Sequence, residues 1–333
     1  MKHYKHIVVF ITTLVVLSTT VCFGSEPIII PTRSNLVVHA TSPNVLIMLG
    51  NFADRQLNCT MDQVDTKWDR VISLYEEITW GEIDIPTTIV GPWDIAYIST
   101  TSPCGLSAQM NQMDEQALIH GVDINQYGHL VYVLPYGTGC GMDMGTLGGN
   151  PSRAWIYNCP NSDTFAHEFG HNLGMHHAST PTNEYGDGSD IMGYCLSYLM
   201  QVNAGHRDQM YWSNNVRTIT QSGTYTIGPL ENYGEFLMVD KPDTGDTYYV
   251  SYKQPIGYDA NIASKYFTVA VHKYKRWRAT QTMILALLGN GQSFTDSVNG
   301  INITAGDRNE TQASVTVTIS SGVPSSPQNL RIE

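Results

Sequence analysis

The chain has 333 residues, 18 of them Lys or Arg and 30 Asp or Glu, so 14% is charged where an average soluble domain carries about a quarter. A net charge of −12 argues against a nucleic-acid partner, because phosphate contacts need a clustered positive surface. With 19 Tyr, 8 Phe and 6 Trp the composition is that of a folded chain, and a single long apolar run at the N-terminus excludes a polytopic membrane fold.

Residues 1–24, MKHYKHIVVFITTLVVLSTTVCFG, place Lys2 and Lys5 before an apolar stretch from Ile7 to Leu17 and end on small residues near Gly24. That pattern predicts a secretory signal peptide, hence a secreted, extracellular protein with no stable membrane insertion after cleavage. An uncleaved anchor is the alternative, but Ser18, Thr19 and Thr20 stop the run short of the roughly 20 apolar residues a span needs. A lipid anchor on Cys22 is disfavoured by the bulky Val21 before it. Cleavage leaves Cys59, Cys104, Cys140, Cys159 and Cys195, an odd set that predicts two disulfides and one further thiol. Of the pairings open, Cys140 with Cys159 is the one expected. Sequons at Asn58, Asn302 and Asn309 are compatible with export.

After a short lead-in, residues 25–44, Val45 to Leu49 reads as a buried strand. Thr60 with Gln63 forms a capping box for a helix whose apolar positions run through Val64, Trp68, Val71, Ile72, Tyr75 and Ile78 until Gly81. Short strands are expected around Thr87 to Val90 and Ile95 to Ile98. Leu106, Met110, Met113 and Leu118 mark a second helix closed by Gly121, and His129 to Leu134 is a further strand. Alternating strands and helices make 45–216 an α+β (α/β-type) domain. From about residue 217 the texture changes to Tyr, Thr and Val alternating with turn residues, as in Phe267, Val269, Val271 and in Val315, Val317, Ile319. These read as half-buried strands, so 217–320 is expected to be an all-β, sandwich-like domain, and the Pro/Ser-rich 321–333 a linker or tail.

The chemistry is concentrated in Ser162 to His177, SDTFAHEFGHNLGMHH. His167 and His171 are four apart, about 400° of helical rotation and about 6 Å of rise, so both imidazoles leave one face and can grip one metal ion. Glu168 lies about 100° round the helix, where it can border an open metal position without ligating it. Gly174 can take the left-handed conformation that ends a helix and return His177 toward the metal. Three neutral imidazoles then leave a fourth zinc position for water. From composition, the short HExxH is expected by chance in about one such chain per hundred, but the extended pattern with Gly174 and His177 in only roughly a few per 10⁵. His176 is the competing third ligand; only His177 has the HExxHxxGxxH spacing.

HEFGHNLGMHH resembles the signature of the metzincin zinc peptidases, and the later SDIMGY resembles their Met-turn. Within that clan the wording is nearest to the gametolysin family: GTGCGMDMGTLGG and AWIYN before the helix, YGDGSDIMG at the turn, VNAGHRDQMYW after it. The resemblance covers roughly 45–216. It implies a metzincin-like catalytic domain with one catalytic Zn2+ on His167, His171 and His177. It also implies Glu168 as the general base for water, Met192 as an apolar floor beneath the ligands, and Tyr194 as a candidate for transition-state stabilisation. The implied function is a secreted zinc metalloendopeptidase acting on extended polypeptides, with extracellular matrix or cell-wall glycoproteins the substrate class that family likeness suggests. The strand His129 to Leu134 resembles the edge on which a substrate backbone pairs. The alternative is a zinc-stabilised adhesion or binding protein without peptidase activity, against which Glu168 speaks, because a pure ligand scaffold has no use for it.

Weaker signals have plainer readings. Pro103-Cys104-Gly105 is faintly like the cysteine switch of latent metzincins, but it lies inside the catalytic span. Glu184, Asp187 and Asp190 recur every third residue as calcium candidates, while Gly186 and Gly188 favour a tight turn. Lys273 to Arg278, KYKRWR, is a basic-aromatic cluster suited to anionic glycans or to a solvated hairpin.

Overall fold

The computed structural model describes residues 44–320 other than 139, 141, 277 and 279. The expected signal peptide, nearly all of the lead-in and the tail lie outside the described residues. The first half is built on a five-stranded sheet. Its elements are β1 (Val45–Asn51), α1 (Met61–Ile78), β2 (Thr87–Asp94), α2 (Leu106–Ile119), β3 (His129–Leu134), β4 (Met144–Gly145) and β5 (Ser152–Tyr157). The order is β2-β1-β3-β5-β4, parallel except for β4, which runs antiparallel to β5 at the edge. β1 is buried along its whole length because both faces of the sheet are covered.

The capping box of α1 forms as the sequence predicts, with Gln63 N–H donating to the Thr60 hydroxyl and Thr60 N–H to the Gln63 side chain. Its buried stripe, Val64, Trp68, Val71, Leu74, Tyr75 and Ile78, packs on one face of the sheet. Met113 and Ala117 of α2 pack on the other, against Leu46, Met48, Leu130 and Tyr132. Two expectations are corrected here. Ile95 to Ile98 is not a strand: β2 continues to Asp94, and Ile95 and Tyr97 then bury their side chains in an irregular segment. β3 is not an edge but lies between β1 and β5, its backbone groups committed on both sides, so no substrate can pair with it.

The chain continues through α3 (Ser162–Asn172), β6 (Ala178–Ser179), α4 (Ala204–Met210), β7 (Val216–Thr218) and β8 (Gly223–Ile227). It ends in β9 (Phe236–Lys241), β10 (Asp246–Tyr252), β11 (Val269–Tyr274), β12 (Thr282–Leu288), β13 (Ser293–Asp296), β14 (Ile301–Arg308) and β15 (Ala313–Ile319). These strands form a six-stranded sheet, β6-β12-β11-β10-β9-β7, and a four-stranded one, β13-β14-β15-β8. Leu237, Val250, Val269 and Val271 of the first meet Ile303, Val315 and Val317 of the second in one apolar layer, the core of a β-sandwich.

β15 alternates as expected, but β11 is not half-buried: Ala270 and His272, on the face away from the sandwich core, are also buried. The reason is that the six-stranded sheet has a second cover. Ala270, Ile262, Tyr266 and Ile284 belong to the same apolar cluster as α1 and α3, so the two halves share a core. β6, two residues immediately after His177, is itself an edge strand of the six-stranded sheet, pairing in parallel with Thr282 and Met283. Among the described residues no helix is long and apolar enough to cross a membrane.

The disulfides are Cys59–Cys159 and Cys104–Cys140, which corrects the expected Cys140–Cys159 pair. Cys159 follows β5 and meets the loop before α1, while Cys140 meets the segment before α2, a juxtaposition made by sheet order and not by sequence distance. Cys195 is buried and belongs to neither bridge. In the basic cluster Arg276 forks onto Asp208 at 2.7 and 3.1 Å, so that charge is committed inside the fold.

Candidate metal centre

α3 follows Asn161 at its N-cap and carries Asp163 in its first turn, where a carboxylate suits the positive end of the helix dipole. Phe165 and Phe169 fix its rotation by packing edge-on to Trp68, at 6.4 and 5.2 Å between ring centroids, and Phe169 also meets Tyr75 at 5.4 Å. The Tyr75 hydroxyl donates to the carbonyl of Ala166. His167, Glu168 and His171 are thereby held within the protein, each about 1% exposed.

The helix ends in a Schellman closure. Gly174 takes φ +103°, its N–H donates to the His171 carbonyl, and Met175 N–H donates to the Gly170 carbonyl. The reversal brings His177 back to the helix: its Nε2 lies 3.1 Å from that of His171, and ligand atoms of His167, His171 and His177 all fall within 4.8 Å of one another. His176 points its Nδ1 at the N–H of His177 instead.

Each imidazole of the triad is fixed through its Nδ1. His167 faces the carbonyl of Ile191 at 2.9 Å, His171 that of Met175 at 2.8 Å, and His177 the carboxylate of Glu184 at 2.5 Å. A carbonyl or carboxylate can only accept, so Nδ1 carries the proton in all three and Nε2 keeps a lone pair directed inward. Burial disfavours protonation: it brings His167 down to about 4 and His177, with neighbouring imidazoles adding to the effect, to about 2. The His171 imidazole is held well below its ordinary range by burial and by His167 and His177. The Nε2 of His167 is buried with no hydrogen-bond partner among the described residues. Three neutral nitrogen donors around a common point, one of them an orphaned buried atom, fit a tetrahedral zinc with an open position.

Met192 packs against the helix at Gly170. Its N–H is held by Asp190 Oδ1 at 2.7 Å, its carbonyl accepts from Ala178, and its sulfur sits 2.3 Å from where a Cβ on Gly170 would be. Gly170, between the two helical histidines, thus leaves the space that the thioether fills. Tyr194, half-buried, receives a hydrogen bond at 2.7 Å from the side-chain amide of Asn183. The structure adds two residues that sequence reasoning did not assign to the site. Glu184 orients His177, and the Tyr185 ring packs 4.1 Å from that of His177 and 6.1 Å from that of His167. The every-third-residue acids do not converge on one cation site. Glu184 turns to His177, Asp187 to His272 and Ser189, and Asp190 to Met192, Asn203 and His206.

The edge strand β4 runs along the same helix. A Cβ on Gly145 would lie 2.6 Å from the Glu168 carbonyl and 3.0 Å from His171 Cβ, so only glycine allows this approach. Asn172 ties the helix to the strands by donating to the carbonyls of Thr146 and Arg153.

No curated protein matches the chain. Among solved structures, the crystal structure of metalloproteinase-II from Bacteroides fragilis aligns over 56% of this chain and 56% of its own, at 18% identity and a TM-score of 0.36. The chain therefore spans little more than half the length of that structure. The family model for gametolysin peptidase M11 matches residues 75–282, from the last turn of α1 through the triad and the Met192 turn to the strand that pairs with β6. With well over half of its length matched, the chain belongs to the gametolysin peptidase M11 family.

Proposed function

We propose that the protein is a secreted zinc metalloendopeptidase, and the observation that carries this is the convergence of three Nδ1-anchored histidines beside a buried glutamate. Bound zinc would supply a Lewis acid for the scissile carbonyl and lower the pKa of the attacking water. His167, His171 and His177 would hold it. Glu168 takes the proton of the attacking water and delivers it to the leaving amine, the general-base and general-acid halves of one transfer.

An extended substrate adds as a strand to β4, whose far side pairs with no other strand among the described residues, and so passes over the helix at the level of Glu168. Main-chain pairing of this kind makes modest sequence demands, in keeping with matrix or cell-wall glycoproteins as substrates. Tyr194 is assigned to the developing oxyanion, for which its phenol must leave Asn183. Residues 1–24 and the two disulfides support an oxidising, extracellular destination.

The deciding experiment is cleavage of a peptide library by wild type, Glu168→Ala and chelated protein. Cleavage that disappears in both of the last two is the expected result. A folded, zinc-loaded wild type that cleaves neither the library nor casein refutes the reading and favours a zinc-stabilised adhesion protein.

A further inference from the structure

The segment 177–193 carries the third histidine, Glu184, Tyr185 and Met192, yet most of it lacks regular secondary structure. Its conformation must therefore be imposed from outside. Asp187, at its centre, is fully buried. Its N–H donates to the carbonyl of Ala178, the residue after His177, and its own carbonyl lies 2.1 Å from where a Cβ on Gly193 would be. Asp187 is thus wedged between the chain leaving the third histidine and the chain leaving Met192. A shift of Asp187 therefore acts on both.

What holds Asp187 comes from the C-terminal sheet. His272 Nε2 donates to its Oδ2 at 2.9 Å, while the Ser189 N–H and hydroxyl occupy Oδ1. Burial alone would raise this carboxyl, but the hydrogen bond and charge of His272, with Ser189, bring it down to about 2, so the anion is the stable form. His272 is locked in β11 between Tyr249 of β10 and Ile284 of β12. Three neighbours act in the same sense. The Tyr266 hydroxyl accepts from Gly188 N–H at 3.1 Å, Lys253 donates to the Ser189 carbonyl at 3.0 Å, and Thr282 N–H donates to the carbonyl of His177 itself at 3.2 Å.

The geometry points to His272 as a positioning residue of the metal centre: through Asp187, the C-terminal β-sandwich sets where His177 and Met192 stand. This rests on the zinc reading above but does not need the peptidase reading, because its measure is metal affinity.

In the full-length chain, the zinc Kd is measured by competition with a chromophoric chelator, and the Co(II)-substituted absorption spectrum reports ligand geometry. His272→Ala is expected to weaken zinc about tenfold and alter the cobalt spectrum, the scale usual for partners beyond the ligands. His272→Gln, which can still donate to Asp187, is expected to recover most of the loss. Tyr248→Phe, which removes a buried hydrogen bond to Asp296 on the sandwich side of the sheet, serves as a stability control and should leave Kd unchanged.

Should His272→Ala not fold, Tyr266→Phe removes one acceptor at Gly188 and is expected to weaken zinc measurably, by less than the loss of a direct partner of a ligand. Wild-type affinity in His272→Ala, or in Tyr266→Phe where that variant decides, overturns the inference. So does an equal loss in Tyr248→Phe. A wild type that binds zinc and cleaves nothing refutes only the peptidase reading.

Discussion

The Glu184 carboxylate meets the Nδ1 of His177 at 2.5 Å, seven residues along the chain and across the mouth of a turn. The other two histidines of the triad rest on main-chain carbonyls, so His177 is the one whose orientation depends on a side chain. Because the carboxylate is 30% exposed, its value lies in direction more than in charge. Glu184→Ala is expected to weaken zinc by about 10- to 100-fold, and Glu184→Gln, which keeps an acceptor oxygen, by less. Chelator competition at constant pH measures both, and equal affinities in all three proteins would contradict the assignment.

Gly145 marks where the edge strand touches the helix. Its replacement by Ala puts a methyl 2.6 Å from the Glu168 carbonyl, and neither backbone can yield without separating β4 from α3. Overpacking of this kind costs about 1–3 kcal/mol. Denaturant unfolding of Gly145→Ala should show that loss, and peptide kcat/KM should fall with it. A variant of unchanged stability would mean that β4 can lift away freely.

His129 gives a pH dependence whose sign is fixed. Buried against Phe169 and bonded to the Ser152 hydroxyl at 2.6 Å, its imidazole is pushed by burial down to about 4, below the roughly 6.5 of an unfolded chain. The unfolded state then binds a proton that the native state refuses between these values. Its contribution is full above about pH 6.5 and is lost as pH falls toward 4, at up to about 1.4 kcal/mol per pH unit. The triad histidines add in the same direction, so the contribution is isolated by difference. Metal-free His129→Gln should show a shallower fall in unfolding free energy than metal-free wild type over that window, and parallel curves would exclude it.

The Cys104–Cys140 bridge closes a sequence separation of 36 and ties down the loop that leads from β3 to β4. On the chain-entropy account a loop of this size contributes about 3–4 kcal/mol. The double replacement Cys104→Ser with Cys140→Ser should lower the guanidinium unfolding free energy by that order. No change would show that the reduced unfolded chain already holds these segments together.

By itself the sequence determined what is local. The spacing of His167 and His171, the stop at Gly174 and the capping box at Thr60 follow from the fixed rotation and rise of an α-helix, which neighbours in sequence cannot escape. Period-two alternation likewise marked β15. It failed at β11, where the second face is covered by the other half of the molecule. β3 is a strand over the expected His129–Leu134, and only its likeness to a substrate-pairing edge failed, because which strands lie beside it is not a local property. The disulfide partners and the grip of His272 on Asp187 join residues 36 to 100 positions apart. Only the order of strands in two sheets brings such pairs together, and that order is set by which apolar faces bury one another. Glu184 is nearer in sequence, but it reaches His177 through a turn whose shape is imposed by the sheet behind it. Helical geometry placed the first two nitrogens, the reversal at Gly174 returned the third, and the packing of a distant β-sandwich holds it there.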